Sequence, residues 1–252
     1  MTSRMTVFVL SWERPLYLWA SLDSLYRNTK TPVNFVLLEN GSADPLVAKV
    51  VDGFVRRGMF SEVVRSVHNQ PTLLNQVFDR YAPDLGPYFG IVETDVIVEA
   101  GARCWVEVMS SIMATHPRLA MLGSKIDPTD FIDPATAAEV AGRPIDAALI
   151  SLIKGRSSER GLSLQPGELA DPFNPPGRLL MLRTEAMHKA GGLMRDGLLY
   201  RKLKEIGYQG AITGDVVHRH LSLLHLYDYP EYDSVDREDF MRRSGPLTSD
   251  VR

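Results

Sequence analysis

Tyr88-Phe89-Gly90-Ile91-Val92-Glu93-Thr94-Asp95 passes from an apolar run straight into two carboxylates, and the organisation of the chain follows outward from it. A short run of apolar, β-favouring residues is the pattern of a strand covered on both faces, as in a parallel sheet. The polar residues that follow then lie at the strand's carboxyl end. Two carboxylates at i and i+2 offer hard oxygen ligands to Mg²⁺ or Mn²⁺. Taken alone, the triplet reads equally as two solvated acids at a strand end, and its surroundings have to choose between the two.

Upstream, Thr6–Leu10 is a second such strand. Pro15 suits the first turn of a helix carrying Leu18, Leu22 and Leu25, and the segment Asn28 to Pro32 breaks it. Phe35–Leu38 forms another strand, Asn40-Gly41-Ser42 a turn, and Asp44-Pro45 a helix start. The apolar face Val47, Val50, Val51, Phe54 and Val55 then ends at Gly58. A strand near Val63–Val67 and a helix over Thr72–Tyr81 complete a β-α-β-α-β-α-β half. Downstream come a helix with Trp105, Met109, Ile112 and Met113, and a strand Leu119–Leu122. An irregular stretch Gly123–Pro176 follows, with short helices near Ala135–Ala141 and Ile145–Ile153. Order returns with a strand Arg178–Arg183, a helix Thr184–Ala190, the turn Gly191-Gly192, a helix Leu198–Ile206 and a last strand near Ala211. The fold class is α/β: one Rossmann-like domain, 1–226, with a central, mostly parallel sheet flanked by helices. It carries an irregular insertion, 124–177, and a tail, 227–252, that reads as a surface wrap or a partly disordered segment. Ligands bind such sheets outside the carboxyl ends of the strands.

Composition narrows the function classes. The 252 residues hold 28 Lys plus Arg against 31 Asp plus Glu, a net charge of −3 without a basic run, which argues against a nucleic-acid coat. Cys104 is the single cysteine, so no intrachain disulfide and no thiolate zinc cluster can be built, consistent with a reducing, cytoplasmic setting. No apolar run reaches the length of a membrane span, which leaves peripheral contact as the route to any membrane.

The order of motifs resembles the GT-A fold glycosyltransferases that use nucleotide sugars, particularly family 2. The resemblance rests on five segments. Ser11, Glu13, Arg14 and Pro15 follow the first strand, and Glu39-Asn40-Gly41-Ser42-Ala43-Asp44 follows the second. His68-Asn69 and Leu74-Asn75 come next, then Glu93-Thr94-Asp95, and lastly Arg183, Gly191-Gly192-Leu193, Asp196, Gly207-Tyr208 and a late histidine. Three positions depart from the family pattern: Glu39 and Glu93 each replace an Asp, and Arg195 replaces the Glu before the catalytic Asp.

The resemblance implies transfer of a sugar from a UDP- or GDP-sugar to a hydroxyl of a glycan or small molecule, with Mn²⁺ or Mg²⁺ as cofactor. Asp95 is then the metal ligand, supported by Glu93, with His218 or His220 completing the shell. Asp196 is the base for an inverting transfer, and it reads independently as the N-cap of the helix that follows. Ser11, Arg14, Glu39, Asn69, Asn75 and Thr94 complete the donor site. For these the plain readings stay open: Arg14 paired with Glu13 or Asp44, Glu39 a turn acid, Asn69 and Asn75 turn and helix-face residues. Asp127, Asp130, Asp133 and Arg178 are acceptor-side candidates. A nucleotidyltransferase is the competing enzyme, disfavoured because Ser11-Trp12-Glu13-Arg14-Pro15 has no glycine. A nucleotide-sugar-binding protein without catalysis is the competing non-enzyme.

Overall fold

The computed structural model describes residues 4–127, 144, 164–171, 179–221 and 247–251, the last by backbone alone. Strand β1 (Met5–Ser11) is followed by α1 (Pro15–Asn28), β2 (Val33–Glu39), α2 (Pro45–Arg56), β3 (Phe60–Ser66), α3 (Leu73–Tyr81) and β4 (Tyr88–Glu93). Then come β5 (Val96–Val98), α4 (Trp105–Thr115), β6 (Leu119–Ile126), β7 (Leu169–Ala170), β8 (Leu179–Arg183), α5 (Thr184–Ala190), α6 (Asp196–Glu205), β9 (Gln209–His220) and β10 (Leu247–Val251).

The ten strands among the described residues join one sheet in the order β10-β3-β2-β1-β4-β8-β6-β9-β5, with β7 on β9. The first four strands are mutually parallel, as their alternation with helices requires. The chain moves outward from β1 to β3, then returns to the other side of β1 as β4. That reversal opens a crevice at the carboxyl ends of β1 and β4. Beyond β4 the sheet is mixed, with β8 antiparallel to both β4 and β6, and β9 parallel to β6.

Alternation along β1 splits the core in two. Val7 and Val9 face a cluster with Leu18 and Leu22 of α1, Val51 and Phe54 of α2, and Met109 of α4. Phe8 faces the other way, into Val77 and Phe78 of α3, Met187 of α5 and Leu203 of α6. Burial of such side chains stabilises by about 1.5–3 kcal/mol each, so the two helical layers fix the strand ends that carry the polar residues. Arg183 belongs to this scaffold: its guanidinium donates to the carbonyls of Met113, His116 and Leu119.

Three sequence expectations change. The irregular stretch begins later than Gly123, because β6 continues to Ile126 beside β9. Residues 247–251 of the tail are an edge strand antiparallel to β3. The acids of the key segment are followed by the three-residue strand β5, which periodicity cannot detect. The helices expected near Ala135–Ala141 and Ile145–Ile153, and the candidates Asp130, Asp133 and Arg178, lie outside the described residues. Among the described residues no helix is long and apolar enough to cross a membrane.

Candidate active site

The loop after β1 is held in an unusual shape. Glu13 and Arg14 both have positive φ, at 52° and 56°, a left-handed conformation that costs a non-glycine residue about 1–2 kcal/mol. Hydrogen bonds offset the strain. The Glu13 N–H donates to Ser42 Oγ at 2.8 Å, and its carboxylate accepts from the N–H groups of Ala43 and Asp44 at 2.6 and 3.2 Å. Asp44 in turn caps α2, accepting from the Leu46 N–H at 2.8 Å. Glu13 is thereby spent on the backbone, and Arg14 is turned toward the end of β4.

There Asp95 is the centre of a buried cluster. Its Oδ2 lies 3.9 Å from Arg14 Nη1 and 3.9 Å from His220 Nε2, and the three side chains are 7%, 10% and 2% exposed in the order Asp95, Arg14, His220. A buried carboxylate is tolerable only beside such partners. Strand register explains why the histidine reaches it: β5 is antiparallel to β9 with Val96 opposite His220, and the Leu221 N–H donates to the Asp95 carbonyl at 2.7 Å. His218 shares that face two residues earlier, fully buried, with Nδ1 2.6 Å from Ser124 Oγ on β6. Among the described residues no three His, Cys, Asp or Glu side chains converge into a ready metal shell.

The crevice beside this cluster has a volume of about 680 Å³. Ser11, Trp12 and Arg14 with Glu93, Thr94 and Asp95 form one wall, joined by the Arg14–Asp95 contact, and the start of α3 with Met194 to Gly197 forms the other. Of the residues singled out in the sequence, it gathers Ser11, Arg14, Asn75, Glu93, Thr94, Asp95 and Asp196. Ser11 Oγ is buried and has no hydrogen-bond partner among the described residues. Asn75 Nδ2 donates to the Leu193 carbonyl, fastening α3 to the loop that presents Asp196.

Three other candidates, Glu39, Asn69 and Asp127, do not line the crevice. Glu39 Oε1 accepts from the Ser42 N–H at 2.8 Å, which is the turn-acid reading. Asn69 Oδ1 accepts from Asn40 Nδ2 at 2.8 Å. Asp127, at the end of β6, donates its N–H to the His218 carbonyl at 2.8 Å. Asp196 is the first residue of α6 rather than its N-cap, which is Arg195. The Arg195 carbonyl accepts from Leu198 and Leu199, and the Asp196 carboxylate stands exposed in the first turn, where the helix dipole favours negative charge.

Asn40 is the main omission of the sequence reading. Its Nδ2 donates to Asn69 Oδ1 and, at 3.0 Å, to the Gln70 carbonyl, while its Oδ1 accepts the Gln70 N–H at 3.0 Å. It thus clamps the loop after β2 to the loop after β3. Gly41 permits this approach: its φ is +71°, and a Cβ there would fall 2.4 Å from backbone atoms of His68. The Asn-Gly dipeptide signalled a turn but carried no sign of its partner. Trp12, an aromatic placed directly after the first strand, was a legible signal that the sequence reading passed over.

No protein-family model matches the chain, and no curated protein matches it in sequence. Solved structures do. The chain is similar to the mannosyltransferase PcManGT from Pyrobaculum calidifontis, in complex with GDP-Man and Mn²⁺, at TM-score 0.56 and 14% identity over 87% of this chain. It is similar to GalNAc-T7 with UDP, GalNAc and Mn²⁺ at 0.58 and 14% over 86%, and to S. aureus TarS with UDP-GlcNAc at 0.57 and 15% over 94%. It spans 58%, 43% and 63% of those chains respectively, less than two thirds of each. The chain has the GT-A fold of these glycosyltransferases.

Proposed function

We propose that the protein is a glycosyltransferase that moves a sugar from a nucleoside-diphosphate sugar to a hydroxyl acceptor. The observation that carries this reading is the crevice at the carboxyl ends of β1 and β4, with the cationic side chain of Arg14 and the acids Glu93 and Asp95 on one side and the exposed Asp196 on the other. The Mn²⁺ and nucleotides bound in the structurally similar glycosyltransferases support it.

A divalent cation suits the donor set. Asp95 Oδ2 and His220 Nε2 are a hard carboxylate oxygen and an imidazole nitrogen facing one another. Two protein donors, with the rest of the shell left to phosphate oxygens and water, are the usual provision for such an ion beside a diphosphate. When bound, it supplies Lewis-acid neutralisation of the charge that develops on the leaving group. Glu93, two residues before Asp95, lines the crevice as well. His218, engaged with Ser124, positions the strand that carries His220.

Arg14 contributes a permanent positive charge beside the diphosphate. Ser11 offers its hydroxyl, and Trp12 a ring, to the nucleoside. Asp196 accepts the proton of the acceptor hydroxyl. The oxygen's electron pair forms the new bond to the anomeric carbon, the bond from that carbon to the diphosphate oxygen breaks, and its pair leaves with the nucleoside diphosphate. Attack from the face opposite the leaving group inverts the anomeric centre.

A panel of UDP- and GDP-sugars tests the reading, with binding followed by calorimetry and donor hydrolysis by release of the nucleoside diphosphate, each with Mn²⁺ and with chelator. Metal-dependent binding and slow hydrolysis of one donor are expected. Tight nucleotide binding without turnover of any donor, with or without acceptor glycans, makes the protein a binding module instead.

A further inference from the structure

The helices α1 and α2 pack side by side and leave apolar surface outside. Leu16, Trp19 and Leu46 are 72%, 51% and 50% exposed, and with Val50 and Phe54 they border a groove of about 370 Å³. Four of the seven large hydrophobic side chains exposed among the described residues, Tyr26 included, belong to these two helices. Singly exposed apolar side chains need no explanation, but a contiguous set on two neighbouring helices does.

The rim of this surface is basic. Lys49 and Arg57 border the groove itself, and Arg27 and Arg56 stand in the last turns of the same two helices. The acids nearby are already occupied. Asp23 is paired with Arg27 at 2.7 Å and Arg57 at 3.5 Å, Asp44 caps α2, Glu13 is held by backbone N–H groups, and Asp52 lies 3.9 Å from Arg65. Lys49 and Arg56 have no ion-pair partner among the described residues. Counting Arg27, Lys49, Arg56, Arg57 and Arg65 against Glu13, Asp23, Asp44 and Asp52 leaves an excess of one positive charge here, in a chain whose net charge is −3, and the two cations without an ion-pair partner, Lys49 and Arg56, are both on the helix α2 that carries part of the apolar face.

We propose that the α1–α2 face docks the protein on an anionic lipid surface. Trp19 and the two leucines enter the headgroup boundary, where an amphipathic indole is most at home, and the rim cations meet lipid phosphates. A second copy of the chain fits this face poorly. In a two-fold contact the patch would meet itself, setting Lys49 and Arg56 against like charges, and a few side chains fall well short of the roughly 800 Å² that a stable interface buries on each partner.

The placement links docking to the crevice. α1 begins at Pro15, the residue after crevice-lining Arg14, and α2 begins just after the loop carrying crevice-lining Asn40. Leu16 and Leu46 thus lie at the edge of the sheet where the crevice opens, and a docked molecule presents its crevice near the lipid surface, within reach of a lipid-borne hydroxyl or phosphate.

Co-sedimentation with vesicles of phosphatidylcholine plus phosphatidylglycerol, against vesicles of phosphatidylcholine alone, tests this without any nucleotide, so its outcome is independent of the proposed transfer. Binding to the anionic vesicles alone is expected, released by about 1 M salt, where screening shortens to about 3 Å. The double variant Lys49→Gln, Arg56→Gln should weaken it by about 25-fold, since each cation at a lipid surface is worth about fivefold. Trp19→Ser should weaken it by about tenfold. Both sets of side chains are exposed, and unchanged thermal melts verify the fold. Equal binding to both vesicle types, binding to neither, or a concentration-dependent dimer that Trp19→Ser converts to monomer overturns the proposal.

Discussion

On the wall of the crevice carried by β1 and β4, Arg14 and Asp95 are buried against one another with His220 of β9 behind them, and a strained loop is held in place by the backbone of the next one. Across the crevice Asp196 stands exposed in the first turn of α6, and Asn75 ties down the loop before it. The first wall is set before any ligand arrives, as suits a ligand of invariant charge such as a diphosphate. The second leaves an acid facing solvent, as suits a partner that enters from outside. Preorganised charge is most valuable where charge develops during a reaction, so the two walls should respond differently to substitution.

Asp95→Ala strikes the preorganised wall hardest. Loss of the carboxylate between Arg14 and His220 should remove metal-dependent nucleotide binding and lower kcat/KM for transfer by about 10³-fold, the equivalent of several kcal/mol of Lewis-acid assistance. It should also lower the melting temperature, because a buried guanidinium is left facing an imidazole. Calorimetric titration with and without Mn²⁺ checks the first effect, and unchanged nucleotide affinity would remove Asp95 from the site.

Asp196→Asn probes the open wall. Donor affinity should change by less than about twofold while kcat falls by about 10²-fold, the lower end of what a positioned base contributes. The melting temperature should hold, since the side chain is exposed. Parallel measurement of donor Kd and transfer rate separates the two walls, and full activity would leave Asp196 as a residue of the first helical turn only.

Why one wall was readable in the sequence and the other less so has a physical cause. The ends of β1, β2 and β4 are marked because an apolar run stops abruptly at a polar residue, and Thr184–Ala190 begins and ends where expected because Gly191, with φ of 91°, terminates it. Strands β6 and β9 run further than their apolar stretches. Ser124, Lys125, Thr213, Gly214 and Asp215 interrupt the pattern; Ser124 opposes Thr213 and Lys125 opposes Val217, with Gly214 and Asp215 in the register shift between them, so the pairing of the two strands, and not their composition, sets their length. The role of Asn40 was invisible for a related reason: its partners lie 29 and 30 residues away, and only the folded sheet brings the two loops together. Glu39 was found at its strand end, but the turn at Gly41 gives its oxygen to Ser42.

Asn40→Ala tests whether that clamp is what makes the first wall rigid. It should cost about 1–3 kcal/mol in chemical denaturation, the penalty for leaving the Gln70 N–H and the Asn69 side chain without their partner. Donor affinity should fall by about tenfold while kcat at saturating donor stays near its original value. A variant of unchanged stability would show that the loops hold their places without it.

The smallest effect contrasts the two helices α3 and α6 through Tyr81, which is partly buried, and Tyr200, which is buried. Tyr81 donates to Glu62 of β3, and Tyr200 of α6 donates to Asp171 at 2.6 Å. Burial first, and then the neighbouring carboxylate, pushes both phenols well above their ordinary value of about 10. The sign follows from proton counting. Between the unfolded and folded values the native state holds protons that the unfolded state has released, so stability is intact below about pH 10 and declines as the pH rises above it. Denaturation profiles at neutral and alkaline pH should show this decline, and Tyr81→Phe and Tyr200→Phe should each flatten part of it. Tyr200→Phe should act locally on α6, beside the open wall, whereas Tyr81→Phe also strips a partner from Glu62, which among the described residues keeps Arg80 at 2.8 Å. A larger loss at neutral pH for Tyr81→Phe than for Tyr200→Phe is therefore expected, because the Glu62 side chain is the more deeply buried of the two carboxylates.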